Sequence, residues 1–157
     1  MTHSDAGTAA LVVARLGGAG ATLAVAESLT GGLLGAELVA VPGTSAVLRG
    51  GALTYATDSK ASVLGVDPEL LTAHGPVHPQ VAVQMADGAR SLFEADVALA
   101  TTGVAGPGPA DGHPAGTFYV ACTGVGRSPA VRGHLVAGSR AVIRSAAVQV
   151  ALALLLD

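Results

Sequence analysis

A serine, a lysine and a loop of glycines and prolines carry most of the chemistry this chain offers. Ser28 stands in Glu27-Ser28-Leu29-Thr30-Gly31-Gly32, after the apolar run Thr22–Ala26 and before Leu33, Leu34 and Leu38, which share one helical face. A hydroxyl at that junction suits a nucleophile. Free N–H groups where a helix begins attract an anion and can hold a developing oxyanion, and glycines there admit a substrate close to the backbone. The same residues also suit a plainer role, with Ser28 or Thr30 as a helix cap and Gly31 and Gly32 as packing points, because serine is common at helix starts.

Lys60 is the candidate base. A lysine takes a proton from serine only when it is neutral, and its ordinary pKa is roughly 10.4; lowering that by about 3 destabilises the charged form by about 4 kcal/mol. Burial supplies such a penalty, and the positive end of a helix dipole adds to it. The pattern predicts Lys60 in the first turn of a helix, where a cation is disfavoured; the alternative is a solvated surface lysine. Tyr55 lies five positions earlier. This is not the Tyr-x3-Lys spacing of short-chain dehydrogenases, and no dinucleotide fingerprint precedes it, which excludes a nicotinamide redox enzyme.

Thr102 and Gly103 open the stretch Thr102-Gly-Val-Ala-Gly-Pro-Gly-Pro109, whose small residues permit backbone contact with a ligand while Thr102 offers a hydroxyl; a plain turn fits it too. Arg140 follows Gly138-Ser139 at the start of the last predicted helix, placed either to clamp a phosphate or to lie exposed on the helix surface. The histidines do not form a metal motif. His74 and His78 are separated by Gly75-Pro76, which forbids the helix that would align them, while His113 falls in a loop and His134 in a strand. With no H-E-x-x-H and no cysteine pair, neither a metal nor another cofactor is expected.

These residues must be positioned by elements legible in the pattern. Helices are expected from Thr8 to Leu16 with a stop at Gly17-Gly18, over Leu33–Leu38, after a Thr57 cap, from Asp67-Pro68 to Gly75, from Pro79 through Phe93, and after a Ser139 cap. Strands are expected at Thr22–Ala26, Gly51–Ala56, Asp96–Thr102, Thr117–Cys122 and Ala130–Val136, the last two antiparallel because their link is short. The reading is a single domain over 1–157, a three-layer α/β/α fold with a mixed five-stranded sheet. Ligands of such sheets bind at the carboxyl ends of the strands, so Ser28, Tyr55, Lys60 and Thr102 could meet in one crevice.

Composition narrows the partners. The chain of 157 residues is 50% apolar, 12% charged and only 3% aromatic, so its core must be filled by Ala, Val and Leu. Net charge is −3 and the 8 Lys and Arg form no basic run, which argues against a nucleic-acid partner. Cys122 is the only cysteine, so there is no internal disulfide, and a reducing compartment is the natural setting. Met1–Gly7 is polar, without the basic start and apolar run of a signal peptide, and Ala146–Leu156 is too short to span a bilayer. A cytoplasmic protein without a membrane partner is expected.

Taken together, Ala26-Glu-Ser-Leu-Thr-Gly-Gly32, Pro42-Gly-Thr-Ser45, Gly50-Gly-Ala-Leu-Thr-Tyr55 with Lys60, Leu64-Gly-Val66, His74-Gly-Pro-Val77, Met85-Ala-Asp-Gly-Ala89 and Thr102-Gly-Val-Ala-Gly-Pro107 resemble the C-terminal domain of the CinA family, in order and at matching spacing from about Ala9 to Leu156. The resemblance implies a nicotinamide mononucleotide deamidase that releases ammonia without a metal. It implies Ser28 as nucleophile, Lys60 as general base and Tyr55 as a hydrogen-bonding helper near both. Thr102 and Arg140 resemble the family's substrate-contacting residues, and Thr30, Gly31, Gly32 and Gly103 are expected beside the substrate. A homodimer and a small phosphorylated nucleotide as the partner are implied as well. The chain departs from the family at Leu29, at His78, in the loop Pro109–Pro114 and at Ser139. Two other readings stay open: a nucleotide-binding or regulatory module without turnover, and a serine–lysine amidase acting on another small amide.

Overall fold

Alternating side chains of one strand serve two different cores. A computed structural model describes residues 7–157, so the signal-peptide expectation for Met1–Ala6 lies outside the described residues. Strand β1 (Leu23–Glu27) is buried along its whole length. Leu23 and Val25 face one apolar cluster, with helices α1 (Thr8–Ala19), α2 (Leu33–Val39) and α6 (Arg140–Leu156); Ala24 and Ala26 face another, with α5 (Pro79–Phe93). Strands β3 (Val97–Gly103) and β4 (Thr117–Gly124) repeat the division. Leu99, Phe118, Val120 and Cys122 point to the first cluster, and Ala98, Ala100 and Ala121 to the second. Large side chains therefore fill the α1/α2/α6 layer, and a nearly all-alanine sheet face lets α5 pack close through Val81, Ala82, Met85, Ala86 and Ala89.

The sheet is completed by β2 (Leu48–Leu53) and β5 (Arg127–Leu135), in the order β2-β1-β3-β4-β5. β1 pairs parallel with β2 and β3, whereas β3–β4 and β4–β5 are antiparallel. The expected three-layer α/β/α fold with a mixed five-stranded sheet is what the chain adopts. No described helix is long and apolar enough to cross a membrane.

Several boundaries differ from the sequence pattern, each for a physical reason. β2 lies three residues earlier than Gly51–Ala56, because Leu23 of β1 pairs with Leu48 and Glu27 with Leu53; Thr54–Ala56 leave the sheet and cross toward helix α3 (Thr57–Leu64). Thr57 is the first residue of α3 rather than its cap, which is Ala56 with no side-chain bond. α1 runs through Gly17-Gly18 and stops at Gly20, whose positive φ of 66° closes the helix. β5 begins at Arg127, earlier than expected, since an exposed edge strand accepts polar residues. The expected Ser139 cap forms, accepting the Val142 N–H, and Asp67 caps α4 (Pro68–His74) by accepting the Glu69 N–H. As expected, Gly75-Pro76 separates α4 from α5, so His74 and His78 share no helix, although their side chains meet across the break. Their rings stack with centroids 4.5 Å apart, while His78 Nδ1 accepts the Gln80 N–H as the cap of α5.

Gly88 sets where α3 lies. A Cβ there would overlap the Leu64 carbonyl oxygen, so only glycine lets the backbone of α5 touch the end of the helix that carries Lys60. Gly88→Ala is expected to push α3 away and lower stability by about 2–3 kcal/mol. Urea unfolding measures this as a fall in midpoint at unchanged slope.

Candidate active site

Three parallel strands end on the same edge of the sheet. β1 runs into Ser28, β2 into Thr54-Tyr55 and β3 into Thr102-Gly103. Past β1 the chain enters α2 in one helical layer, and past β2 it enters α3 in the other, which opens a crevice at the end of β1. The crevice holds a cavity of about 280 Å³ bounded by Ser28, Tyr55, Lys60, Thr102, the loop from Gly103 to Asp111, and Arg140. A space of that size admits a small organic molecule.

Lys60 is the largest fully buried side chain of the described residues, 1% exposed. Its Nζ lies 3.0 Å from Ser28 Oγ, 2.5 Å from the Thr54 carbonyl oxygen and 3.5 Å from that of Tyr55. The two carbonyls can take the two N–H bonds of a neutral amine, which leaves its lone pair for the Ser28 hydroxyl proton. Burial pushes the Lys60 pKa down to about 8, against the pull of the Asp111 charge, which raises it. The solvated-lysine alternative is thereby overturned. Ser28 is itself only 7% exposed, on the floor of the cavity.

The turn that carries Ser28 is held by a network the sequence reading missed. Glu27, 4% exposed, accepts through Oε1 from the N–H groups of Gly32 and Leu34 and through Oε2 from that of Gly35. It also accepts the Thr30 hydroxyl at 2.7 Å. The Thr30 hydroxyl oxygen is 2.8 Å from that of Thr101, which in turn accepts the Ser28 N–H at 3.4 Å. From α6, Arg144 donates to the carbonyls of Leu29 and Thr30, each at 2.9 Å. A Glu just ahead of a Gly-Gly helix start was a visible signal for this cap, since a carboxylate is favoured at a helix N-terminus.

This network corrects the roles expected of Thr30, Gly31 and Gly32. None of the three bounds the cavity, and Thr30 is fully buried behind Ser28. Gly31 donates its N–H to Ser28 O, and Gly32, with φ of 99°, caps α2 in a conformation suited to glycine. The N–H groups of Gly31 and Gly32 are engaged inside the protein, by Ser28 O and Glu27 Oε1, so these two are not oxyanion donors. The Ser28 or Thr30 cap reading fails too, since Gly32 holds that position without a side-chain bond.

The remaining residues meet at the cavity with altered roles. The Tyr55 hydroxyl accepts from Arg140 at 3.1 Å instead of touching the Ser28–Lys60 pair; only the Tyr55 carbonyl is near Lys60. Arg140 also donates to the Gly106 carbonyl, which ties α6 to the glycine-proline loop. Both acceptors are neutral, so the guanidinium charge is uncompensated by any carboxylate among the described residues. Thr102 is buried and donates its hydroxyl to Pro76 O at 2.7 Å, which fixes the cavity wall, and Gly103 lines the cavity. Asp111, not singled out as a site residue in the sequence, is the one carboxylate among the described residues that bounds it.

The family model described as the CinA C-terminal domain matches residues 5–157. A CinA-like protein of Frankia casuarinae is 51% identical over 132 residues, 84% of this chain and 30% of its own length. A putative competence-damage inducible protein of Geobacillus kaustophilus is 43% identical over 83% of this chain and 31% of its own length. The chain thus spans about a third of the length of these curated relatives. Among solved structures, a competence-damaged protein (CinA) superfamily member from Escherichia coli is 33% identical with a TM-score of 0.92, covering 99% of this chain and 92% of that one. A competence/damage inducible protein from Agrobacterium tumefaciens is 36% identical with a TM-score of 0.90, covering 95% and 92%. The chain belongs to the CinA family and corresponds to its C-terminal domain.

Proposed function

We propose that the chain is a metal-independent amidohydrolase that converts nicotinamide mononucleotide to nicotinate mononucleotide and ammonia through Ser28 and Lys60. The observation that carries this reading is the 3.0 Å approach of a buried lysine amine to the hydroxyl of Ser28 beside a small-molecule cavity. Neutral Lys60 takes the Ser28 proton while Oγ bonds to the carboxamide carbon, giving a tetrahedral oxyanion. The Lys60 ammonium then returns that proton to the nitrogen, the C–N bond breaks, and ammonia leaves an acyl-Ser28 ester. A water molecule gives its proton to Lys60 and its oxygen to the acyl carbon. The ester bond breaks as the proton goes back to Oγ, leaving the carboxylic acid, which ionises to the carboxylate by giving its proton to solvent.

With the N–H groups of Gly31 and Gly32 engaged elsewhere, the oxyanion is assigned to the opposite wall, the backbone of the loop after Gly103. Arg140 offers its charge to the substrate phosphate, aligning the amide over Ser28. The CinA family membership supports the reading, and a homodimer is the proposed assembly.

Purified protein given nicotinamide mononucleotide is expected to release ammonia. Ser28→Ala should lower turnover by at least about 10³-fold while the melting temperature stays unchanged, and full ammonia release by that variant would overturn the assignment. Because the base must be neutral, kcat/KM should rise with pH and level off above a midpoint near pH 8, falling about tenfold per unit below it. Arg140→Ala is expected to raise KM for the nucleotide more than it lowers kcat, as read from initial rates over a range of substrate concentrations.

A further inference from the structure

One feature of the cavity opposes the chemistry it serves. The Asp111 carboxylate raises the pKa of the Lys60 amine, which favours the protonated form that cannot act as a base. Its placement is nevertheless well defined. Ala110 and His113 exchange backbone hydrogen bonds at 3.0 and 2.9 Å across the two-residue turn Asp111-Gly112. Both turn residues have positive φ, 51° and 79°, the conformation of a tight hairpin turn in which Asp-Gly is favoured. The turn holds Asp111 on the wall of the cavity that also contains Ser28, Lys60 and Arg140. Asp111 forms no ion pair with either cation among the described residues.

When Lys60 is neutral, the cavity therefore presents one uncompensated cation, Arg140, and one uncompensated anion, Asp111. Such a pair complements a ligand that carries both an anionic group and a positive charge. We propose that Asp111 is a specificity residue that selects an amide attached to a positively charged, pyridinium-type ring over the same amide on an uncharged ring. This inference rests on the proposed function for the identity of the amide. It also resolves the opposition: a cationic ring beside Asp111 offsets the carboxylate's pull on Lys60, so binding the correct substrate favours the neutral amine. The charge that opposes the base becomes the charge that recognises the substrate.

The test compares nicotinamide mononucleotide with its 1,4-dihydro form, which carries one added hydride at C4, keeps the amide, ribose and phosphate, and has a neutral ring; the Asp111 variants separate the effect of charge from that of ring shape. The dihydro amide is less electrophilic, so binding rather than turnover is measured, by calorimetry on the full chain carrying Ser28→Ala. That protein is expected to bind the cationic form more tightly, and adding Asp111→Asn should shrink the preference roughly tenfold, while Asp111→Glu retains most of it. The preference should also weaken as salt is raised when Asp111 is present, and respond far less in the Asp111→Asn protein. Equal loss of affinity for both forms in Asp111→Asn, no change for either, or no binding of either form to the parent protein overturns the proposal. Ammonia release by the unmodified protein is scored separately. A charge preference that depends on Asp111 without ammonia release would refute the deamidase and leave the recognition standing, and ammonia release with an unaltered preference would do the reverse.

Discussion

An amine taken out of water next to a hydroxyl is the condition on which this site depends. Lys60 is as buried as the leucines of the core, yet its amine meets three oxygen atoms. Burial weakens the hold of the nitrogen on its proton, and the two backbone carbonyls orient what remains. Neither effect works alone. A buried lysine without the carbonyls would be an unsatisfied polar group, and an oriented lysine in water would stay charged. The position of α3 satisfies both, and that position follows from a glycine in α5 and from the way the chain leaves β2 at Thr54.

The two walls of the cavity are built on different principles. The Ser28 wall is tied down by a buried carboxylate, the Thr101 hydroxyl and an arginine from the last helix, which bond the backbone of one short turn, while the Thr30 hydroxyl links the carboxylate to Thr101. Glu27 serves architecture: its oxygens take up the N–H groups of Gly32, Leu34 and Gly35 at the start of α2, so the nucleophile sits on a turn tied to a buried carboxylate. Satisfied networks of this kind hold one conformation, because any alternative strands several buried polar groups at once. The facing wall is a chain of glycines and prolines with few side chains, anchored through Arg140 and ended by the Asp111-Gly112 turn. Its backbone is accessible to a ligand, and its two charged groups stand at the cavity with no ionic partner among the described residues.

That division explains how much of the site could be read without coordinates. Ser28, Lys60, Thr102 and Arg140 stood out because each is a polar residue at a strand or helix end in a chain poor in charge, and the structure gathers all four at one cavity. Element types were legible from apolar spacing, and boundaries failed where pairing partners decided them, as in β2, whose register is set by β1. The roles of Thr30, Gly31, Gly32 and the Tyr55 hydroxyl were misjudged for a common reason. A sequence shows which groups can form hydrogen bonds but not which partners claim them first. Glu27 and Arg144, far apart along the chain, claimed the turn, and Arg140 claimed the tyrosine.

What the amino-acid order determined by itself was the set of elements, the apolar faces that stack them in three layers and the chemical types available at the strand ends, since these depend on local spacing and composition. Tertiary structure alone decided which polar groups remained unpaired, how deeply the lysine was buried and that a carboxylate from a distant turn would share its cavity. Burial and long-range charge are properties of the assembled surroundings, to which every layer of the fold contributes.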